Sequence, residues 1–176
     1  RLLVDRHGDL HPATRARIAR FRELGGRLLA AEAGAEMTAG SLDRALARIG
    51  GAAPPPPPPD GWPPFEAMAW RWAGPGRSIA SVPVAGSRMK AYALRIAPGR
   101  AMLRHGHAAG EWTLIVQGGY RDESGEYGVG AFIEEDEETD HRPVATGDVE
   151  CICLSVMSGP LAASGVIGMA ARWLMR

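Results

Sequence analysis

The chain has 176 residues, with 20 Lys+Arg against 20 Asp+Glu, five His, two Cys, 23 Gly and 14 Pro. That length fits one ordinary domain, or a small domain with part of another, and 45% hydrophobic with 23% charged residues excludes wholesale disorder. No apolar stretch approaches the ~20 residues of a membrane-spanning helix, and RLLVDRHGDL lacks the charged-then-apolar order of a signal peptide, so no membrane contact and a cytoplasmic location are expected. The chain opens on Arg1 rather than Met, which predicts a trimmed or partial N-terminus.

The first predicted element is a helix opening at Pro12, whose fixed φ suits a first helical position. Ile18, Phe21, Leu24 and Leu28 recur at steps of three and four, with Arg15, Arg17, Arg20, Arg22 and Arg27 mostly on the other side. Gly25 and Gly26 weaken its middle. A second, shorter helix is signalled by Ser41 as N-cap, Asp43 in the first turn, Leu42, Leu46 and Ile49 on one face, and Gly50 at the end. Two such helices bury too little to fold alone, so their apolar faces require a partner.

The sharpest break in composition follows, GGAAPPPPPPDGWPP at residues 50–64. Six consecutive prolines, Pro54 to Pro59, favour a polyproline II rod of about 3.1 Å per residue, a semi-rigid spacer. It lacks the flanking basic residues expected of a PxxP ligand. The predicted organisation is a partial helical region at 1–49, a Pro-rich linker at 50–64 and a mainly β domain at 65–176.

Beyond the linker the apolar period changes to two. Ser78 to Val84, Met89 to Ile96, Trp112 to Val116, Tyr127 to Ile133 and Glu150 to Met157 read as strands, separated by AGPG, AGS, APG, DESGE and ATGD turns. Spacing of about ten residues without intervening helices predicts an all-β barrel or jelly roll. The stretch from Gly165 to Arg176 has near-helical spacing.

The zero net charge conceals segregation. Arg71, Arg77, Arg88, Lys90, Arg95, Arg100 and Arg104 occupy a stretch with no acid, while residues 121–150 hold eleven acids beside Arg121 and Arg142 alone. Pairing of these stretches in one sheet neutralises both. A nucleic-acid surface needs basic character without that counterpart, together with interleaved aromatics, so nucleic acid is not a direct partner.

The histidines fall into two clusters. In GRAMLRHGHAAGEWTLIVQG, His105 and His107 share one face of a strand, and a turn through Ala108, Ala109 and Gly110 brings Glu111 back toward the same point. His141, after Gly130 and an acidic turn, supplies a further donor. Three imidazoles and a carboxylate suit a borderline cation such as Zn²⁺, Fe²⁺, Mn²⁺ or Ni²⁺.

Gly99, His105, His107, Glu111 and Gly118 stand at every defining position of the first cupin motif, which this stretch resembles. Gly130 to His141 keeps the spacing of the second motif, but Asp136 replaces a usual proline, Glu138 a glycine and Ala145 an asparagine, which puts the turn geometry in question. The run HGHAAGEWTLIVQGGYRDESGEYGVGAFIEEDEETDHRPVATGDVECICLSVMSGPL is similar to the cupin-like domain of the ChrR family of zinc-binding anti-sigma factors, and RFRELGGRLLAAEAG with SLDRALARIG resembles the closing helices of that family's helical domain. The resemblance implies a cupin fold with His105, His107, Glu111 and His141 as zinc ligands, and N-terminal helices that bind an extracytoplasmic-function (ECF) sigma factor. Signal sensing by the cupin, of oxidative stress or a small-molecule ligand, and no requirement for catalysis belong to the same implication.

Near the N-terminus the pattern departs from that family, whose helical domain carries His-x3-Cys-x2-Cys. His7 is followed by His11 and Thr14, leaving His7 and His11 as a degenerate second metal site. Cys151 and Cys153 face one side of a strand and would close a strained ring if joined, so burial as free thiols is expected, with a redox role near the metal as the alternative. The rival reading is a metal-dependent cupin dioxygenase acting on a small carbonyl or thiol substrate.

Overall fold

A computed structural model describes residues 2–34, 38–51, 62–82, 84, 89–159 and 161–162. Pro54 to Pro59 of the expected linker and the expected C-terminal helix from Gly165 lie outside the described residues.

Three helices open the chain: α1 (Leu2–Leu10), α2 (Pro12–Ala31) and α3 (Ser41–Gly51). Pro12 begins α2 as its position predicts, and His11 turns the chain between α1 and α2 in extended conformation. Arg15 donates from Nε to the Gly8 carbonyl (3.1 Å) and from a terminal nitrogen to that of Asp9 (3.2 Å), meeting carbonyls that the end of α1 leaves open. Arg22 of α2 reaches back to Asp5 of α1 at 3.4 Å. The helix α3 starts one residue away from expectation. The Gly40 carbonyl takes the first helical bond from Arg44 N–H (3.0 Å), while the Ser41 hydroxyl pairs with that of Thr38 (2.6 Å). Sequence reasoning had no signal for α1, whose apolar residues are too few for a period.

After a 3₁₀ turn (Phe65–Ala67) the described residues form twelve strands: β1 (Arg71–Trp72), β2 (Arg77–Val82), β3 (Lys90–Ile96), β4 (His105–His107), β5 (Glu111–Gln117), β6 (Gly119–Arg121), β7 (Glu126–Gly128), β8 (Phe132–Glu135), β9 (Asp140–His141), β10 (Val144–Thr146), β11 (Cys151–Met157) and β12 (Leu161–Ala162). They form a six-stranded sheet in the order β1-β2-β3-β11-β5-β8 and two three-stranded sheets, β10-β6-β7 and β12-β4-β9, with every paired neighbour antiparallel. This is the mainly β architecture that the spacing of the turns predicts. The expected strand Tyr127 to Ile133 is broken in two, because buried Gly130 takes φ +86° and reverses the chain.

The large sheet is covered on both faces. Ile96, Ile115, Tyr120, Ile133, Ala145, Cys151 and Cys153 fill the barrel, whereas Ala80, Val82, Ala91, Ala93, Leu114 and Leu154 pack outward against Leu3 of α1 and Met68. Trp62, Phe65 and Trp70 close the edge of that outer layer, with Arg95 stacked 4.3 Å from the Trp70 ring centre. An outer cover explains why CICLSVM is apolar on both sides rather than alternating. It also supplies the partner that α1 needs. On α2 and α3, by contrast, Phe21, Leu24, Leu28, Leu29, Leu42 and Leu46 stay exposed.

The segregated charges do meet. Arg95 lies 3.7 Å from Glu150, and Arg104 pairs with both Glu123 and Asp140. Asp136, where the second motif usually has a proline, holds its own turn: its Oδ1 accepts the Glu138 N–H (3.0 Å) and the Thr139 hydroxyl (3.0 Å). Glu138 needs no glycine-like conformation, since no non-glycine residue among those described has positive φ.

Gly118 shows why its motif demands glycine. It joins β5 to β6 at φ +63°, and a Cβ there would lie 2.6 Å from the Glu150 carbonyl oxygen and 3.1 Å from the Cys151 Cα. Both obstacles are backbone of the neighbouring chain and neither swings aside. Gly118→Ala is therefore expected to destabilise the domain by about 2–4 kcal/mol, read from urea unfolding.

Candidate metal centre

Antiparallel pairing assembles the centre. The β4–β9 register sets His105 directly opposite His141, and the period of two puts His107 on the same face as His105. Across the barrel, the β5–β8 register sets Glu111 opposite Glu135. The Nε2 atom of His141 lies 3.3 Å from that of His105 and 3.4 Å from that of His107, with ring centres 4.7–5.3 Å apart. Three imidazole nitrogens thus face one point.

Each ring presents its other nitrogen to an oxygen. His105 Nδ1 donates to the Leu103 carbonyl (2.8 Å) and His141 Nδ1 to Asp122 Oδ2 (3.0 Å), with Glu135 Oε1 3.6 Å from the same nitrogen. His107 Nδ1 lies 2.9 Å from Glu111 Oε2 but out of hydrogen-bond alignment, and neither buried atom has another hydrogen-bond partner. Glu111 is fixed from behind: Thr113 Oγ1 donates to its Oε1 (3.0 Å) and lies 2.7 Å from the Ser155 hydroxyl. Glu111 therefore stands on the far nitrogen of His107 rather than among the three Nε2 atoms.

The donor set fits a divalent cation on physical grounds. Glu111, Glu135 and the side chain of Asp122 are buried together, and like charges opposed across a ladder repel unless a positive charge sits near. Burial lowers the pKa of His105 and favours the neutral, ligating imidazole. For Glu111 burial acts upward, but the adjacent His107 and Ser155 outweigh it and hold the carboxyl below its ordinary value. A neutral imidazole at His105 and an ionised carboxylate at Glu111 agree with a metal nearby.

Two of the acids, Asp122 and Glu135, were not singled out by sequence reasoning. Asp122 had only its place in the DESGE turn as a signal, and Glu135 none without the strand register. The N-terminal histidines lie apart from this centre, with their own ring centres 5.0 Å from each other. His7 lies with its ring centre 5.7 Å from that of Phe132 on β8, and the His11 ring rests where a Gly130 Cβ would be, 2.7 Å away. Among the described residues, three or more potential ligands gather as His105, His107 and His141, and as Asp122, Glu135 and His141, with His7 and His11 in neither group. Cys151 and Cys153 are both buried and free. The hydrogen bond between the thiols, with full burial, pushes Cys153 well above its ordinary pKa and favours its protonated form.

Residues 64–162 match the family model of the ChrR cupin-like domain. The chain is 32% identical over 173 residues to the anti-sigma-E factor ChrR of Cereibacter sphaeroides, covering 91% of this chain and 81% of that protein. In structure it is similar to a chain of the crystal structure of Rhodobacter sphaeroides SigE in complex with the anti-sigma ChrR, with TM-score 0.70, 32% identity and coverage of 86% of this chain and 83% of that one. With the family model matched over residues 64–162 and 32% identity to a relative over 91% of this chain, it belongs to the ChrR family.

Proposed function

We propose that this chain is an anti-sigma factor of the ChrR type, acting in the cytoplasm. Residues 1–49 bind an ECF sigma factor, residues 50–64 tether them, and residues 65–176 form a cupin that holds zinc and senses an oxidative or small-molecule signal. The observation that carries the reading is similarity to ChrR along 91% of the chain, helices included, rather than over the barrel alone.

Zinc held by His105, His107 and His141, with Glu111 placed on Nδ1 of His107, would offset the buried carboxylates and tie β4 and β9 together. The chain's own residues do the rest. Phe21, Leu24, Leu28 and Leu29 of α2 and Leu42 and Leu46 of α3 find no cover within the described residues, and Leu29 remains 78% exposed. Exposed apolar residues in this number suit a protein-binding face. No helix among the described residues is long and apolar enough to cross a membrane.

A route from barrel to helices is built into the contacts. The helical hairpin rests on Phe132 and Gly130 through His7 and His11, and Phe132 shares β8 with Glu135. A signal that binds the two arrangements of this seat unequally shifts the population between them, and by the same factor shifts sigma affinity.

The test is a pull-down of the cognate sigma factor with the full chain. Leu42→Ala/Leu46→Ala is expected to weaken the complex by about tenfold to a hundredfold, about 1.4–2.7 kcal/mol for the pair, while metal content stays unchanged. Unaltered binding would remove α3 from the interface, and no binding by the unaltered chain would overturn the reading.

A further inference from the structure

Asp122 is the least explained buried charge of the barrel. It lies in the turn between β6 and β7, far in sequence from the histidines, yet its side chain has no solvent exposure. Its two oxygens have separate tasks. Oδ1 accepts the backbone N–H groups of Ser124 (2.9 Å) and Gly125 (3.2 Å), closing the turn that Asp122 N–H and the Gly125 carbonyl also pin at 2.9 Å. Oδ2 accepts from His141 Nδ1 at 3.0 Å. The turn thereby fixes the carboxylate, and the carboxylate fixes the ring.

The consequence for His141 follows from its two nitrogens. An imidazole that donates from Nδ1 leaves a lone pair on Nε2, and here Nε2 is the atom that meets the other two rings. Without an acceptor at Nδ1, either nitrogen could carry the proton and the ring could rotate about its bond to the backbone. Glu135, 3.6 Å from Nδ1, is too distant to take over without moving. The next residue strengthens the placement. Glu123 pairs with the Arg104 side chain and accepts the Arg142 backbone N–H (3.1 Å), so the turn is fastened beside His105 on one strand and beside His141 on the other.

From this geometry we infer that Asp122 is a positioning residue of the metal centre: it fixes the tautomer and orientation of His141 without touching the metal, and the DESGE turn exists to present it. The inference rests on the proposed zinc site. Outer carboxylates of this kind contribute about 10- to 100-fold to metal affinity.

The experiment is a zinc competition titration against a chromophoric chelator with the full chain, its Asp122→Asn and its Asp122→Ala variants, joined to the visible spectrum of the Co²⁺-loaded proteins. Asparagine keeps an oxygen for the turn and then presents His141 Nδ1 with an N–H donor instead of an acceptor. Loss of about 10- to 100-fold in zinc affinity in both variants, with a shifted cobalt spectrum in Asp122→Asn and an unshifted thermal transition of that variant in chelator, is the expected result. Zinc affinity unchanged in Asp122→Asn would reduce Asp122 to a turn former and overturn the inference while leaving the zinc site intact. Two zinc ions per chain, the second lost in Asp122→Asn, would overturn it by making the carboxylate a ligand. Failure of the unaltered chain to bind zinc would overturn the proposed site itself.

Discussion

Leu154→Ala is expected to lower the stability of the barrel by about 3–5 kcal/mol, measured by urea unfolding followed through tryptophan fluorescence. Leu154 is fully buried on the central strand β11, directly opposite Leu114 on one side and Ala93 on the other. Truncation there removes contacts inside the layer between sheet and α1, and the β-sheet backbone around it cannot collapse to fill the space. Leu29→Ala, at an exposed site of α2, is expected to change stability by less than about 0.5 kcal/mol. Equal effects of the two substitutions would mean that the outer layer is not a packed core.

The second large effect is expected of His141→Ala. This substitution removes one of the three convergent imidazoles and also the only hydrogen-bond donor shown for Asp122 Oδ2, leaving Asp122 and Glu135 buried beside each other. Breaking a buried charged network by deleting one partner costs about 3–5 kcal/mol, so His141→Ala loses metal and stability together. His105→Ala is the instructive comparison. Its Nδ1 faces only the Leu103 carbonyl, so metal is lost with a smaller loss of stability in the metal-free protein. Elemental analysis alongside urea unfolding in chelator separates the two effects, and equal metal-free stabilities would contradict the role given to the buried acids.

Much of this arrangement is written in local sequence. His-x-His on a strand needs only the period of two to share a face, and the glycines of the first motif mark where the chain must turn tightly, as Gly118 does. Pro12 and the leucine period announce α2, and the PPPPPP run separates helices from strands. What escaped local reading depends on partners distant in sequence. Asp122 is one acid among eleven in its region until the fold sets it against His141, nineteen residues away. Glu135 enters the centre only through a register of β5 with β8 that no short-range signal fixes. The short helix α1 and the doubly covered β11 explain each other, since Leu3 covers one face of the strand and a lone sheet would leave that face wet. The place of His7 and His11 against Gly130 and Phe132 is likewise a contact between remote segments.

The central claim is that one zinc ion belongs to the barrel and none to the N-terminal histidines. Elemental mass spectrometry of protein purified without added metal, with His105→Ala and His7→Ala beside it, tests that claim most directly. The account predicts about one zinc per chain, kept in His7→Ala and lost in His105→Ala. Zinc lost in His7→Ala but kept in His105→Ala would contradict it.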